Sequence, residues 1–484
     1  MDIQETLRNH NPFASVAAAN PWANAMPDIE SLNHEAAEQI FNLALNKLRN
    51  PQSPMAGLIL GEAGSGKTHM LRRVLDRIRR SGADVVFVCV KAFTLPQKVM
   101  RDLWREVFVS LTRERGDGFT QLEFIAAGMT GIYRGQASGE AGAHLDETGC
   151  VRYFQSILPE VRGDFLRALL ACRRRARKEE AGPTVWGRLK TLMGGSAARE
   201  EERRRERKRL EEESLGKRRR DAALRWLQGE IDDEHPRLLG VGDRAAMPPA
   251  ELEAEAKDWL LSLGLVLDRC GISMTVCFDQ LDGMDDPALI GAWEKALAFL
   301  VNDVYGMLPL VFVKAATWRR RFSALDESLE QRLTGNRFQL KNCTLEQARE
   351  LVRARVAAFH PGDGEAGEIA AWLLERLEGK LKNGSPPRVV LDLANRAVVQ
   401  SEGAEPAAPE NAAEVLAEAY REERQKVRDD LDAWPPDADR LLIALETHLA
   451  HRGDFEDIRR PEGKYISLTA LRAEDKKEEG VPCA

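Results

Sequence analysis

Residues 55–60, Met-Ala-Gly-Leu-Ile-Leu, run directly into Gly61-Glu62-Ala63-Gly64-Ser65-Gly66-Lys67-Thr68, and this stretch decides the fold. The apolar run has the length and aliphatic make-up of a buried strand. Beyond Thr68, apolar residues recur at Met70, Leu71, Val74, Leu75 and Ile78, the spacing of one helix face. Strand, loop and helix in that order, with the loop fitting G-x-x-x-x-G-K-[ST], make a phosphate-binding turn. Gly61, Gly64 and Gly66 lack the Cβ atoms that would stop backbone N–H groups from turning inward around phosphate oxygens. Lys67 supplies a point charge for the β and γ phosphates and Thr68 a hydroxyl for Mg²⁺. The helix that starts there aims its positive end at the anion. Gly61 to Thr68, with Glu62, Ala63 and Ser65 between the fixed positions and His69 just after, is therefore the expected phosphate cradle.

A metal held at such a loop needs a carboxylate on a neighbouring strand. Met274-Thr-Val-Cys-Phe-Asp279 supplies one, after a helical segment near 258–268 and a Cys270-Gly271 stop, so Thr68 and Asp279 are the expected Mg²⁺ ligands. Gln280 follows. An amide orients a water but takes no proton, so hydrolysis is expected to be slow, absent, or supported by Asp282 three residues on. A helix-like stretch from Leu289 to Val304 leads to a second apolar strand, Leu308 to Val313, and then to Ala315-Ala-Thr317. Leu325 to Leu333 reads as a helix before a last strand at Phe338-Gln-Leu340, and Thr344-Leu-Glu-Gln347 is a capping box opening a helix over Leu345 to Val356.

This order of elements resembles the AAA+ ATPases over roughly residues 28 to 400. The resemblance implies an α/β fold of the P-loop NTPase (ASCE/AAA+) class: a parallel sheet flanked by helices, a mostly helical insertion and an α-helical lid. It implies ATP and Mg²⁺ as ligands and a homo-oligomer. In that family a polar residue at the tip of the second apolar strand touches the γ-phosphate, and Thr317 matches. An arginine before the last strand reaches the neighbouring subunit's nucleotide, and Arg332 matches, with Arg337 second. Gly384-Ser-Pro-Pro-Arg388 looks like the entrance to the lid helix that carries another γ-phosphate arginine, although its glycine-to-arginine gap is longer than usual. The segment before the first core helix wraps the adenine in relatives, so Phe13 or Trp22 is expected to anchor near the base or a neighbouring subunit. Asp28-Ile-Glu-Ser-Leu-Asn33, the Asp279-Gln280 pair and the proline-arginine lid entrance look most like the initiator and origin-recognition clade. Bacterial relatives of that clade include transposition-regulator ATPases and ATPases of BREX-type phage defence. Trp226-Leu-Gln-Gly-Glu230 with Leu238-Leu-Gly240 is similar to the latter.

About 200 residues separate Lys67 from Asp279, far more than one strand-helix-strand passage requires, so a helical insertion is expected at about 116–250. The other expected divisions are an N-terminal linker and first helix over 1–50, a nucleotide-binding core over 51–343, a lid over 344–402 and a helical appendage over 403–484. The appendage holds helical stretches at Asn411 to Leu431 and Arg440 to His451. Between Cys172 and Arg220 stand 18 Lys and Arg against 9 Glu, in a chain of net charge −7. Such an arm is a solvated helix face or a non-specific contact for DNA or RNA phosphates, through Arg173 to Arg175, Arg203 to Arg209 and Lys217 to Arg220. Trp186 and Trp226 flank it. Protein partners of a multi-component system complete the expectation.

The chain's 484 residues are 30% charged, 43% apolar and 6% aromatic, which fits a helix-rich globular protein of two or three units. No apolar stretch approaches the roughly 18 residues of a membrane span, and the seven cysteines form no Cys-x-x-Cys pair, so single thiols in a cytoplasmic protein are expected. The eight histidines are scattered. His448 and His451 lack the further ligands of a metal site.

Overall fold

The computed structural model describes residues 3–14, 21–22, 27–91, 93, 95–136, 146–173, 196–230, 234–322, 325–360, 364–399, 455–459, 467–472 and 478–482. The chain separates into two compact units, Met1–Glu402 and Gly403–Ala484. The first unit opens with helices α1 (Ile3–Asn9) and α2 (His34–Arg49), then β1 (Gly57–Leu60), α3 (Lys67–Ser81) and β2 (Val85–Val90). A helical series follows: α4 (Val99–Leu111), α5 (Gln121–Gln136), α6 (Glu147–Ile157), α7 (Gly163–Ala171), α8 (Ser196–Gln228), α9 (Glu234–Leu239) and α10 (Pro249–Cys270). The chain then alternates through β3 (Ser273–Phe278), α11 (Pro287–Asn302), β4 (Met307–Val313), α12 (Ala315–Arg321), α13 (Glu327–Gly335) and β5 (Arg337–Gln339). It closes the unit with α14 (Leu345–Phe359), α15 (Glu365–Arg376) and α16 (Pro387–Val399).

The five strands form one parallel sheet in the order β2-β3-β4-β1-β5. Helices cover both faces, which is why β1, β3 and β4 are buried along their whole length and read as unbroken apolar runs. The two-residue period of a strand still divides the core. Leu58, Leu60, Val86 and Val88 join the cluster under the large helical side, whereas Ile59, Phe87 and Phe312 pack against α2 and α3. This order sets β1 beside β4 and puts β3 one strand further away. The phosphate loop after β1 and the carboxylate after β3 thus meet at the carboxyl end of the sheet. The ends of the elements follow local chemistry: Gly271 takes a left-handed φ of 65° to stop α10, and Asp286 accepts from the Ala288 N–H to start α11.

The insertion is helical and belongs to the main core. Trp104 and Trp259 meet edge to face at 5.2 Å, and Trp226 lies 4.9 Å from Trp259. The phrase Trp226–Glu230 therefore begins in packing: Trp226 and Leu227 are buried. Arg244 sits over both indoles, 4.1 Å from Trp226 and 4.7 Å from Trp259. Burial pushes its guanidinium down to about 10, against the pull of Glu255. The charged helix α8 is 33 residues long. Its root is held by Arg219 on Glu147 at 2.9 Å and Arg220 on Glu123 at 2.7 Å, while Arg204 and Arg207 are exposed. Arg219 and Arg220 are thus engaged within the fold, unlike the phosphate contacts expected of Lys217 to Arg220. Arg174, Arg175 and Trp186 lie outside the described residues.

Helices α14, α15 and α16 enclose their own apolar cluster, and the capping box at its entrance is formed: Gln347 N–H donates to Thr344 Oγ1 at 3.2 Å and Thr344 N–H to Gln347 Oε1 at 3.0 Å. Phe13, expected near the base, is instead fully buried in this cluster beside Leu351 and Val356. The segment that carries it is tied to the lid by Asn11 on Asn395 at 2.8 Å and by Arg355 Nε on the Pro12 carbonyl at 2.7 Å. Trp22 packs edge to face on Phe87 with Arg79 over its ring, away from the phosphate loop. Both aromatics are anchors of the N-terminal segment, and neither lines the cleft.

In the second unit the described residues are three antiparallel strands, β6 (Phe455–Arg459), β7 (Ser467–Arg472) and β8 (Glu478–Pro482), in that order. This corrects the expected helical appendage for these residues. Cross-strand pairing, invisible to helical periodicity, organises a stretch as charged as Glu478-Glu479. The helical stretches expected at 411–431 and 440–451, with His448 and His451, lie outside the described residues. Among the described residues no helix is long and apolar enough to cross a membrane, and the cysteines are free thiols.

Candidate nucleotide-binding site

The loop between β1 and α3 is curled tightly enough that a Cβ on Gly61 would lie 2.3 Å from Ser65 Oγ. Gly64 and Gly66 hold φ values of 76° and 92°, conformations that other L-residues rarely adopt. The N–H groups of Gly64, Gly66 and Lys67 donate to no acceptor within the described residues, and Ser65 Oγ is buried without a partner. A part-buried set of unanswered donors around a buried hydroxyl favours an anion, and at the start of a 15-residue helix it fits phosphate.

The two residues expected to hold Mg²⁺ are bonded to each other. Thr68 Oγ1 donates to Asp279 Oδ2 at 2.8 Å, and Asp279 is 4% exposed. Among the described residues no three His, Cys, Asp or Glu side chains cluster as a metal cage. The Thr68 hydroxyl and the Asp279 carboxylate suit Mg²⁺, which takes few protein oxygens and completes its shell from phosphate and water. Lys67 Nζ bonds to the carbonyls of Gly61 and Glu62 at 3.0 and 3.3 Å and lies 3.8 Å from Asp282. Burial pushes its ammonium down from the usual lysine range, while Asp282 and Asp279 pull it back up.

The cleft around these groups encloses about 290 Å³. The lid reaches it through Arg388, whose N–H donates to the Gly64 carbonyl at 3.2 Å. A Cβ on Gly64 would lie 2.7 Å from Arg388 Cβ, so the loop glycine is also where the lid touches down. The long gap from Gly384 to Arg388 has a structural use: Gly384 N–H donates to the Cys343 carbonyl and Cys343 N–H to the Ser385 carbonyl, each at 2.9 Å. That bridge joins the two ends of the lid before α16 begins.

The structure brings Gly64 to His69, Asp279, Gln280, Asp282 and Arg388 to one cleft. It places Thr317 elsewhere. β4 ends at Val313, the residue at its tip is Lys314, and Thr317 is buried in the first turn of α12. The apolar run 308–313 located the strand, but its end came one turn of helix earlier than the threonine. Arg332 lies in α13, outside the cleft, with Nη1 buried and without a partner among the described residues; Arg337 is exposed at the start of β5. Gln280 is exposed at φ 63°, its N–H bonded to its own neighbour Asp279.

A constellation that motif reading missed fixes the N-terminal wall. Arg73, 5% exposed, donates Nε to Asp28 Oδ2 at 2.8 Å and Nη2 to the Ile29 carbonyl at 2.7 Å, and His69 Nε2 donates to Asp28 Oδ1 at 2.8 Å. His69, expected in the phosphate cradle, thus lines the cleft while bonded to Asp28. The one signal was Arg73 on the apolar face of α3, beside Val74 and Met70. Burial raises the Asp28 carboxyl, but the bonds and charges of His69 and Arg73 override it and hold the group well below the ordinary carboxylate range. A depressed carboxylate stabilises the fold above its unfolded value of about 3.9, and the contribution is lost as pH falls through the folded value. Asp28→Asn should therefore lower the thermal midpoint at neutral pH, with the gap to wild type narrowing below about pH 4. A gap that stays constant down to about pH 2 would mean that Asp28 acts by shape alone.

Residues 49–163 match the family model described as an AAA domain. Among solved structures, the chain is similar to the ORC2 protein of Aeropyrum pernix in ADPNP-ADP complexes, at 14% identity over 90% of this chain and 89% of that one, with a TM-score of 0.35. It is similar to Cdc6p of Pyrobaculum aerophilum at 12% identity over 79% and 65% of the two chains, with a TM-score of 0.34. The ORC1 protein of Aeropyrum pernix in complex with DNA gives 14% identity over 89% and 76%, also with a TM-score of 0.34. No curated protein matches the sequence. Residues 49–163 thus resemble an AAA domain, and the sheet is a five-stranded parallel one of the P-loop α/β kind.

Proposed function

We propose that this chain is a nucleotide-gated AAA+ switch that binds ATP with Mg²⁺ in the cleft and turns it over slowly. The bond from Thr68 to Asp279 carries this reading, because it joins the two halves of a metal-phosphate site from segments about 200 residues apart. Lys67 and the loop N–H groups hold phosphate, Thr68 and Asp279 hold the metal, and Arg388 covers the loop from the lid. Bound Mg²⁺ supplies charge neutralisation across the β and γ phosphates. Gln280 orients a water without accepting its proton, and Asp282 is committed to Lys67 and to the Lys314 N–H. The assembly is a homo-oligomer in which Arg332 serves a neighbouring subunit, working with protein partners of a nucleic-acid-acting complex. A mobile-element or phage-defence setting follows from the sequence resemblance alone.

A second reading, an ATPase stimulated by nucleic acid, is favoured by Arg204 and Arg207, exposed on a helix about 50 Å long at 1.5 Å per residue. Steady-state ATP hydrolysis with and without duplex DNA, at low and physiological salt, separates the two. The switch predicts tight ATP binding with turnover on the order of 10⁻³ s⁻¹ or slower, the scale of intrinsic glutamine-assisted hydrolysis. Stimulation by DNA that fades with salt would move the conclusion to the second reading. No ATP binding would end both.

A further inference from the structure

The loop after Asp279 carries a second acid that phosphate binding and metal binding leave unused. Asp282 Oδ2 lies 3.8 Å from Lys67 Nζ, with the two side chains 19% and 11% exposed. Its other oxygen accepts the Lys314 N–H, at the tip of β4, at 3.0 Å. Lys67 makes its remaining bonds to carbonyls of its own loop, and Asp279 is turned toward Thr68. A part-buried ammonium needs an anion near it, and Asp282 is the acid that pairs with this one.

The loop is built to register that pairing. It begins at Gln280, which with Asn33 makes up the non-glycine residues of positive φ among the described residues, and continues as a short 3₁₀ turn over Leu281–Gly283. Arg321, the last residue of α12, donates Nη1 to the carbonyls of Asp282 and Met284, each at 2.7 Å, and its Nη2 pairs with Asp285. Asp282 therefore joins the phosphate-loop amine to α12, whose Arg319 and Arg320 are exposed.

We propose that Asp282 is the resident counter-ion of Lys67 in the nucleotide-free chain, a positioning residue that Lys67 must leave before it can hold phosphate, so that nucleotide binding loosens the Gln280–Asp285 segment and α12 behind it. The proposal rests on the phosphate-loop reading above. Two anions compete for one ammonium in this cleft, and the more highly charged phosphate draws it away from Asp282. Linkage then requires that whatever holds Lys67 to Asp282 is subtracted from the affinity for phosphate.

The test is ADP binding by titration calorimetry on the full chain in EDTA, where no metal contributes. Asp282→Asn should bind ADP more tightly than wild type, on the order of ten-fold, the usual scale of coupling between linked events. Asp282→Glu, which keeps the charge, should stay close to wild type, and Asp282→Ser gives the same comparison if the asparagine variant does not fold. Hydrogen exchange in 280–285 and 315–321 should rise on ADP binding to wild type and show no rise in Asp282→Asn. Equal or weaker ADP binding by a natively melting Asp282→Asn overturns the proposal. Absence of ADP binding by wild type overturns the phosphate-loop reading and this proposal together, so the two failures are distinguishable.

Discussion

Lys67→Ala is expected to weaken ATP binding by about 100-fold or more, the equivalent of roughly 3 kcal/mol from lost hydrogen bonds to a charged group. The side chain is 11% exposed and lies within the same cleft as Thr68 and Asp279. Its removal leaves the loop N–H groups, with Arg388 at the lid side, as the remaining donors in the cleft, and Lys314 lies outside the lining. The fold should survive. Lys67 is the first residue of α3 and, apart from the 3.8 Å pair with Asp282, its bonds go to its own loop, so the thermal midpoint of the nucleotide-free variant should stay within a few degrees of wild type. Titration with a fluorescent ATP analogue reads the first quantity and a melting curve the second. Affinity within a factor of about three of wild type would mean that the loop is not the nucleotide site.

Gln280→Glu should raise the single-turnover hydrolysis rate by about 100-fold, the lower end of what a positioned general base contributes. Gln280 lines the cleft directly after Asp279, the proposed metal ligand, and its left-handed backbone is fixed by the bond from its own N–H to Asp279 Oδ1. That bond involves no side-chain atom of residue 280, so the isosteric acid inherits the same position. ATP affinity should fall only slightly, through the added negative charge. A rate that does not change would show that turnover is limited by something other than proton removal, and the arginine of a neighbouring subunit would then be the next group to supply.

Much of this site could be read from local pattern. The glycine spacing from Gly61 to Gly66 specifies backbone geometry, and the structure shows Gly64 and Gly66 at positive φ. The apolar runs that end at Leu60 and before Asp279 became β1 and β3, because burial on both faces leaves no polar positions to blur the signal. The capping box at Thr344 formed as written, since its two bonds span only three residues. Where the reading depended on contacts between distant segments it lost accuracy. Thr317 was matched to the tip of an apolar strand, yet the strand stops at Val313, where β1 ceases to pair with it, two residues after β3 does. Phe13, read with Trp22 as an anchor near the base or a neighbouring subunit, became part of the lid core, a fate set by α14 and α16, more than 300 residues away.

What the sequence specified alone was the local pattern of each short segment: a glycine-rich turn between strand and helix, an acid and an amide after a buried strand, a helical insertion and a helical cluster after the sheet. These depend on backbone sterics and hydrophobic periodicity within a few turns. Only the tertiary structure decided the pairings across the chain. It set Asp279 on Thr68, Asp282 on Lys67, Arg388 on Gly64, and Arg73 with His69 on Asp28. Each of these is a distance of a few ångströms between residues far apart in sequence or on separate elements. Such distances follow from the order of strands in the sheet and from which helix covers which face, quantities that no local pattern contains.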